Sequence, residues 1–415
     1  MMSIVIIVNE NLKATEGSAA RNCVLNRAKL YSKRRTEMDI VINNIGQLIT
    51  PIECAPDADE RAYAFQITPD ATLFVQNGRL IDGLPARALG EAQTIDAGGG
   101  LVMPGLIDPF WVMPQLPPWM DELPESRLAE RDVLSWSLRI FERALRAGVT
   151  TIEVKCPHDA DFDGLSALGH LSQHRHPRVV GTLLASLPEA DADRDRSMSS
   201  LIGEVIPEIR RRRLATFCDL GWASQDASVT EASAVLRAAS GAGLRPKLHI
   251  QGPTQTEDIR DLALSLEAAS IGCASHLPSN VVRQLSDSRV IPSYLLGLPD
   301  KQMGQYLGMR ELLDQGVRIA VGSGNGLADT PPISMWTVLA LAMERMGLSL
   351  AEAIVACTLN NAMAIEMSHD LGSLETGKLA DLILLDLVDY RELETAVMSP
   401  PVSMVMVNGE IIHSP

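Results

Sequence analysis

The sequence predicts an α/β protein: a (β/α)8 barrel, the TIM-barrel architecture, with a small composite β-sandwich domain built from both chain ends. Three observations carry that prediction. Between Leu101 and Gly322 short apolar runs alternate eight times with stretches of helical periodicity or loops leading into them. Both ends of the chain read instead as β segments separated by turn signals. The chain has 415 residues, 46% hydrophobic and 21% charged, an ordinary composition for a globular protein able to bury a large core.

Residues 1–37 stand apart from this plan. Met1–Val8 is apolar but has no basic segment before it and no small-residue cleavage pattern after it, and Lys29–Arg35 is markedly basic. Met38 immediately precedes a strand-like segment, Asp39–Leu48. The natural chain is therefore expected to start at Met38, with residues 1–37 an over-extended reading frame; a disordered basic arm is the alternative. Residues 38–100 form the first part of the small domain, as Ile40–Thr50, Ala71–Gly83 and Ala92–Gly100. Gln76-Asn77-Gly78 marks a hairpin tip, because Asn-Gly tolerates positive φ at both central positions.

The barrel is expected over residues 101–372. Its strands read as Leu101–Ile107, Val149–Lys155, Val179–Ala185, Ala215–Leu220, Arg245–Ile250, Ser270–Ala274, Arg289–Tyr294 and Val317–Gly322. Ser135–Ala147 and Ser233–Ala242 show apolar residues at three- and four-residue spacing, and Ser349–Ala364 reads as a helix packed outside the barrel. Residues 373–415 return to the small domain through Asp381–Leu387 and Pro401–His413, again with an Asn-Gly tip at Asn408-Gly409.

A net charge of −16 and a pI near 5.0 argue against nucleic acid or an anionic membrane as partner, since both need basic surface. No apolar run approaches the roughly 18 residues of a membrane helix. The six cysteines, Cys23, Cys54, Cys156, Cys218, Cys273 and Cys357, follow no framework spacing and read as reduced thiols, three of them in or beside buried strands. A cytoplasmic location is the expectation.

Several ordered motifs then converge. Leu101–Met113 reads LVMPGLIDPFWVM, and its Pro-Gly-Leu-Ile-Asp resembles the first barrel strand of the amidohydrolase superfamily. Gly148-Val149-Thr150-Thr151-Ile152-Glu153-Val154-Lys155 resembles the second-strand motif of imidazolonepropionases, which hydrolytically open the imidazolone ring in histidine degradation. Lys247-Leu248-His249 is similar to their fifth-strand motif and Ala274-Ser275-His276-Leu277 to the sixth. Gly372–Leu382, extended by Asp389-Tyr390-Arg391, resembles the return into the small domain, so the resemblance runs from about Ile40 to Ile412.

That resemblance implies a Zn or Fe ion held by four ligands: a His-x-His pair, a fifth-strand histidine and an eighth-strand aspartate. Those positions fall on Phe110 and Val112, on His249, and on Gly324. Only His249 offers a lone pair from its side chain. A single imidazole does not hold a divalent ion at catalytic occupancy, so no cofactor is expected. Without the ion nothing lowers the pKa of an attacking water or polarises an amide carbonyl. Other positions carried over from the family differ too. A glutamate after the fifth-strand histidine falls on Gly252 and a third-strand histidine on Leu187. An arginine segment has become Met113–Trp119, and a Ser-Gly-Tyr-Gly loop reads Cys156-Pro157-His158-Asp159.

The expected protein is thus an imidazolonepropionase-like member of a hydrolase lineage acting on cyclic C–N bonds. It has lost metal-dependent activity and keeps a binding or scaffolding role, as a homodimer or as the partner of an active amidohydrolase. The alternative is a divergent cyclic amide or imide hydrolase, or a metal-free lyase or isomerase. There Lys155, His249 and His276 would be catalytic, and Cys156, His158 and Asn325 would touch a small cyclic amide or imidazole-like ligand. An unaltered imidazolonepropionase is the third reading. Lys155 would serve as a Schiff-base amine if burial lowered its pKa, and Cys156 as a nucleophile if His158 or Lys155 favoured its thiolate. The blander reading leaves all of them as ordinary structure. In it Lys155 balances Glu153, on the same strand face, or Asp219. Phe110 and Trp111 are expected to fill the barrel mouth, and the Gly322–Gly326 loop either exposes N–H groups to an anion or has merely relaxed. His170 and His174, at i, i+4, form at most a weak metal pair on the outer ring.

Overall fold

The computed structural model describes residues 39–52, 65–113, 130–157, 162–173, 177–186, 194–222, 228–250, 256–272, 284, 287–297, 309–327 and 331–414. Residues 1–38, and with them the expectation for the N-terminal extension, lie outside the described residues.

The small domain contains β1 (Ile40–Pro51), β2 (Phe65–Gln76), β3 (Arg79–Ile81), β4 (Gln93–Asp96) and β5 (Leu101–Pro104). The barrel follows with β6 (Leu106–Val112), β7 (Val149–Pro157), β8 (Arg178–Ser186), β9 (Phe217–Trp222), β10 (Arg245–Ile250), β11 (Ser270–Gly272), β12 (Ile291–Leu295) and β13 (Ala320–Gly322). The chain then returns with β14 (Leu382–Leu385), β15 (Val402–Val407) and β16 (Glu410–His413). The strands from the two chain ends join in one sheet, ordered β16-β15-β14-β5-β1-β2-β3 with β4 also on β1. Both Asn-Gly tips take the expected left-handed turn, with φ of 52° and 76° at Asn77 and Gly78 and 53° and 74° at Asn408 and Gly409. These tips lie against each other, joined through Ala380, whose N–H donates to Gly78 O (2.8 Å) and whose carbonyl accepts from Gly409 (3.1 Å). The composite domain therefore closes around one core, which includes Ile42, Ile45, Val75, Leu382 and Met406.

β6 to β13 pair in parallel, in chain order, as the eight barrel strands. The apolar run expected as the first barrel strand is divided between the two sheets. Leu101–Pro104 pairs with β14 in the small domain, and only from Leu106 does the chain enter the barrel. The divide falls at Gly105, where a Cβ would sit 2.2 Å from Thr150 Cγ2, so the crossing of the two layers admits no side chain. Helices cover the outside as the periodicity predicts; Glu130–Arg146 buries Phe141 and Leu145, and Val229–Gly241 buries Val235 and Leu236. The Val229–Gly241 helix starts at a capping box between Ser228 and Glu231.

The expected Ser349–Ala364 helix forms, interrupted by a π turn at Ala356–Asn360. The extra residue of that turn lets two consecutive asparagines reach the barrel. Asn360 Nδ2 donates to Ile319 O (3.0 Å). Asn361 Oδ1 accepts from Val321 N (2.9 Å), while its Nδ2 donates to Ile107 O (2.7 Å) and Val321 O (2.8 Å). Asn361 thus ties the first barrel strand to the last, where the parallel ladder itself ends. Asn361→Ala should cost about 2–4 kcal/mol, because three buried backbone groups lose a partner together. Urea unfolding measures it, and a loss below about half a kilocalorie per mole would show that the seam holds without this side chain.

Candidate functional site

Strand alternation sends Glu153 and Lys155 of β7, Asp219 of β9, and Lys247 and His249 of β10 into the barrel. Each is at most 3% exposed. They form one connected network. Lys155 Nζ donates to Glu153 Oε1 (2.8 Å) and Asp219 Oδ2 (2.6 Å). Lys247 Nζ donates to Glu153 Oε2 (2.6 Å), and Thr182 Oγ1 adds a hydrogen bond to Glu153 Oε1 (2.7 Å). His249 Nδ1 meets the other oxygen of Asp219 at 3.0 Å. Lys155 therefore has both partners that the sequence offered it. Phe110 packs its ring 4.3 Å from the Lys155 ammonium and edge-on to the His249 ring, centroids 5.4 Å apart.

The two lysines behave differently because they own different numbers of carboxylates. Burial alone would lower the Lys155 pKa, but Asp219 and Glu153 outweigh it and hold the ammonium above the ordinary lysine range. The condition for its use as a Schiff-base amine, a pKa lowered by burial, is therefore not met. Burial pulls the Lys247 ammonium down to about 8, with Glu153 offsetting part of the effect and Lys155 adding repulsion. Burial would raise the Asp219 carboxyl, yet Lys155 and His249 hold it well below the usual carboxylate range.

Above the network lies an apolar rim. Phe110, Val112 and Leu295 are buried together, with Leu184 and Leu327 partly buried against them. Trp111, expected at the mouth, instead points outward and packs edge-on against Phe141, as alternation around an inward Phe110 requires. The first and last strands close through Asp108. Its Oδ1 accepts from Phe110 N (3.3 Å) and Ser323 N (3.1 Å), while Oδ2 has no hydrogen-bond partner among the described residues. The strand-end loop is spent on the same seam. Gly324 N donates to Phe110 O (3.2 Å), Asn325 N to Ser323 Oγ (3.1 Å), and Asn325 O accepts from Val112 N (2.8 Å). The N–H groups of Ser323, Gly324 and Asn325 are thus occupied, which leaves the anion-cradle expectation without donors there. Gly324 sits at φ 68°.

Of the remaining expected site residues, Cys156 is fully buried on the opposite face of β7 from Lys155, in the helix-facing core. Asn325 binds both backbone groups of Ile333 through its amide, at 3.0 and 2.9 Å. His158, His276, Leu187 and Gly252 lie outside the described residues, as do His174 and residues 114–119; His170 is exposed on the helix Phe162–Gln173. Cys156, Cys218 and Cys357 are buried thiols outside any disulfide, and burial pushes the latter two upward. At the expected metal positions stand Phe110, Val112 and Gly324. Among the described residues no three His, Cys, Asp or Glu side chains gather as a metal-binding group. The sequence marked Lys247 and Asp108 only within the Lys247-Leu248-His249 and Pro-Gly-Leu-Ile-Asp motifs, with no role of their own, and did not mark Thr182, whose signal is the inward period of β8.

Comparison with known proteins extends the resemblance. The amidohydrolase family model matches residues 300–412. An imidazolonepropionase from Geobacillus thermodenitrificans is 30% identical, over 90% of this chain and 97% of its own length. One from Deinococcus radiodurans is also 30% identical, over 89% of this chain and 99% of its own. Among solved structures, guanine deaminase from E. coli superposes with a TM-score of 0.66 at 16% identity, covering 91% of this chain and all (100%) of that one. An adenosine deaminase from Xanthomonas campestris with bound zinc gives 0.64 at 19% identity, covering 91% and 93%. These likenesses to solved structures concern the fold. No helix among the described residues is long and apolar enough to cross a membrane.

Two measurements follow from the buried charges. Lys155→Met leaves Glu153 and Asp219 short of a cation and should destabilise by about 3–5 kcal/mol, read by urea unfolding; stability equal to wild type would break the network argument. Burial pushes the Asp108 carboxyl up to about 6, against the Ser323 side chain and the Ser323 and Phe110 backbone N–H groups, which lower it. A folded pKa above the unfolded value means the native state holds the extra proton, so this group's contribution falls as pH rises from about 4 to about 6. The stability difference between wild type and Asp108→Asn should therefore move in the variant's favour by up to about 3 kcal/mol between pH 4 and pH 7. A difference that stays flat with pH would show that Asp108 is not charged at a cost.

Proposed function

We propose, for a chain that belongs to the imidazolonepropionase-like amidohydrolases, that the barrel has left metal-dependent hydrolysis and serves metal-free binding. The observation that carries this reading is the inward face of β6. Phe110 and Val112 offer no lone pair where the family resemblance implies two metal ligands, and both are built into an apolar rim with Leu295. The replacements have jobs of their own. Phe110 caps the Lys155 ammonium and packs on His249. Gly324, at the implied aspartate position, adopts a left-handed backbone that disfavours a side chain, and its N–H joins the seam on β6. His249 is engaged through Nδ1 with Asp219. One imidazole of four implied ligands does not fit a divalent ion, and no hydrolytic step is derived through one.

The ligand best suited to such a site is small and flat, a cyclic amide or imidazole-like ring, since the rim is apolar and the polar groups beneath it are fixed. A scaffolding role beside an active amidohydrolase, or as a homodimer, uses the same preserved frame. The deciding experiment is elemental analysis of purified, untagged protein after expression in medium supplemented with Zn, Fe, Mn and Ni, paired with an imidazolone-ring hydrolysis assay. We expect metal well below one ion per chain and no hydrolysis above buffer. Stoichiometric metal that disappears in His249→Ala, accompanied by ring opening, would return the protein to the hydrolases.

A further inference from the structure

We infer that Asn77 is a site of spontaneous modification, converted through a succinimide to aspartate and isoaspartate, while the fold shields the other Asn-Gly pairs. The chain has Asn77-Gly78, Asn325-Gly326 and Asn408-Gly409. A glycine after asparagine puts no side chain in the way when its nitrogen attacks the asparagine Cγ, and it tolerates the backbone rotation that the attack needs. At Asn77 and Gly78 both φ values are positive, 52° and 76°, the pattern of a type I′ turn, which holds the peptide plane between them facing away from the side chain. Turning that plane by roughly half a revolution gives a type II′ turn and leaves the flanking strands in place. The first residue then has ψ near about −120°, where its Cα–Cβ bond eclipses the peptide C–N bond. In that state Cγ comes within reach of the Gly78 nitrogen.

Hydrogen bonding separates the three pairs. Asn77 is exposed, and its side chain, its carbonyl and the Gly78 N–H take part in no hydrogen bond among the described residues, so nothing pins that plane. Asn408-Gly409 repeats the turn, with φ of 53° and 74°, but its plane is held by Gly409 N–H donating to Ala380 O (3.1 Å). The Asn408 N–H donates to Asp381 Oδ1 (2.7 Å) as well. Asn325 O accepts from Val112 N (2.8 Å), and Ile333 binds both ends of the Asn325 amide, so neither plane nor side chain can turn. At Asn77 the Gly78 nitrogen gives its proton to solvent base and bonds to Cγ. The Cγ–Nδ2 bond breaks, and the amide nitrogen takes a proton from solvent and leaves as ammonia. Water from solvent then opens the ring, at Cγ to give aspartate or at the main-chain carbonyl to give isoaspartate. Isoaspartate carries one extra methylene in the backbone. The tip has no room for it, since a Cβ on Gly409 would already lie 2.7 Å from Gly78 Cα. The modification therefore loosens the contact through which the two chain ends are joined.

The test ages the full chain at mildly alkaline pH and follows amide-to-acid conversion in its peptides by mass spectrometry. We expect Asn77 to convert about tenfold or more faster than Asn325 and Asn408, because those two must first break hydrogen bonds that the fold holds. In urea the three should convert at similar rates, since their local sequences offer the same chemistry. Isoaspartate-specific methylation should label the Asn77 peptide. Aged wild type should melt at a lower temperature than fresh protein, whereas Asn77→Gly, whose Gly-Gly tip keeps the turn, should age without that loss. The inference is overturned if folded Asn77 converts no faster than Asn325 or Asn408, if the same ranking persists in urea, or if aged Asn77→Gly loses as much melting temperature as aged wild type.

Discussion

The bridge that Glu153 makes between Lys155 and Lys247 is the constraint on which the barrel interior depends. A carboxylate with both oxygens committed to ammonium groups, at 2.8 and 2.6 Å, cannot move without stranding a buried charge. Asp219 then balances the second positive charge and passes its remaining oxygen to His249. Two cations and two carboxylates close the account without any external ion, and three strands are locked in relative position by it. The lysine with two carboxylates is held firmly charged, whereas the one with a single carboxylate sits nearer to losing its proton. Burial is equal for the two; the count of partners decides.

The mouth is organised by the seam between the first and last strands. Asp108, Ser323 and Asn361 supply there the polar contacts that a regular ladder would otherwise supply, and Gly324 permits the backbone turn that brings the loop onto β6. Phe110 belongs to both systems: its backbone is held by the seam and its ring covers the charge network. A substitution at that one position therefore touches closure, charge burial and the orientation of His249 together.

Much of this was legible in the sequence, and the limits of that legibility are physical. Eight apolar runs predicted the barrel, and Asn77-Gly78 and Asn408-Gly409 predicted the hairpins, because both are local signals that the backbone must obey. The Glu153–Lys155 pair followed from strand alternation alone. The same rule should have turned Trp111 outward once Phe110 was placed inward. The split of Leu101–Ile107 is marked locally only by Pro104-Gly105; which sheet each half joins was not readable, because it depends on partners such as β14 and Thr150, distant in sequence and close in space. The closing roles of Asp108 and Asn361 were invisible for a related reason. A polar residue that closes a barrel is recognised only when the strands it joins, far apart in the chain, are known to meet.

Gly105 has one more consequence. A single residue separates a strand of the small sheet from a strand of the barrel, and its N–H is bound by Asp381 at 3.0 Å, just before β14 begins. With no linker between them, neither layer can rotate or detach while the other stays folded. The two bodies therefore lack the independence that makes domains exchangeable modules. They should have evolved, and should melt, as one cooperative unit, and grafting this barrel without its sheet would cut through the middle of a continuous structural element.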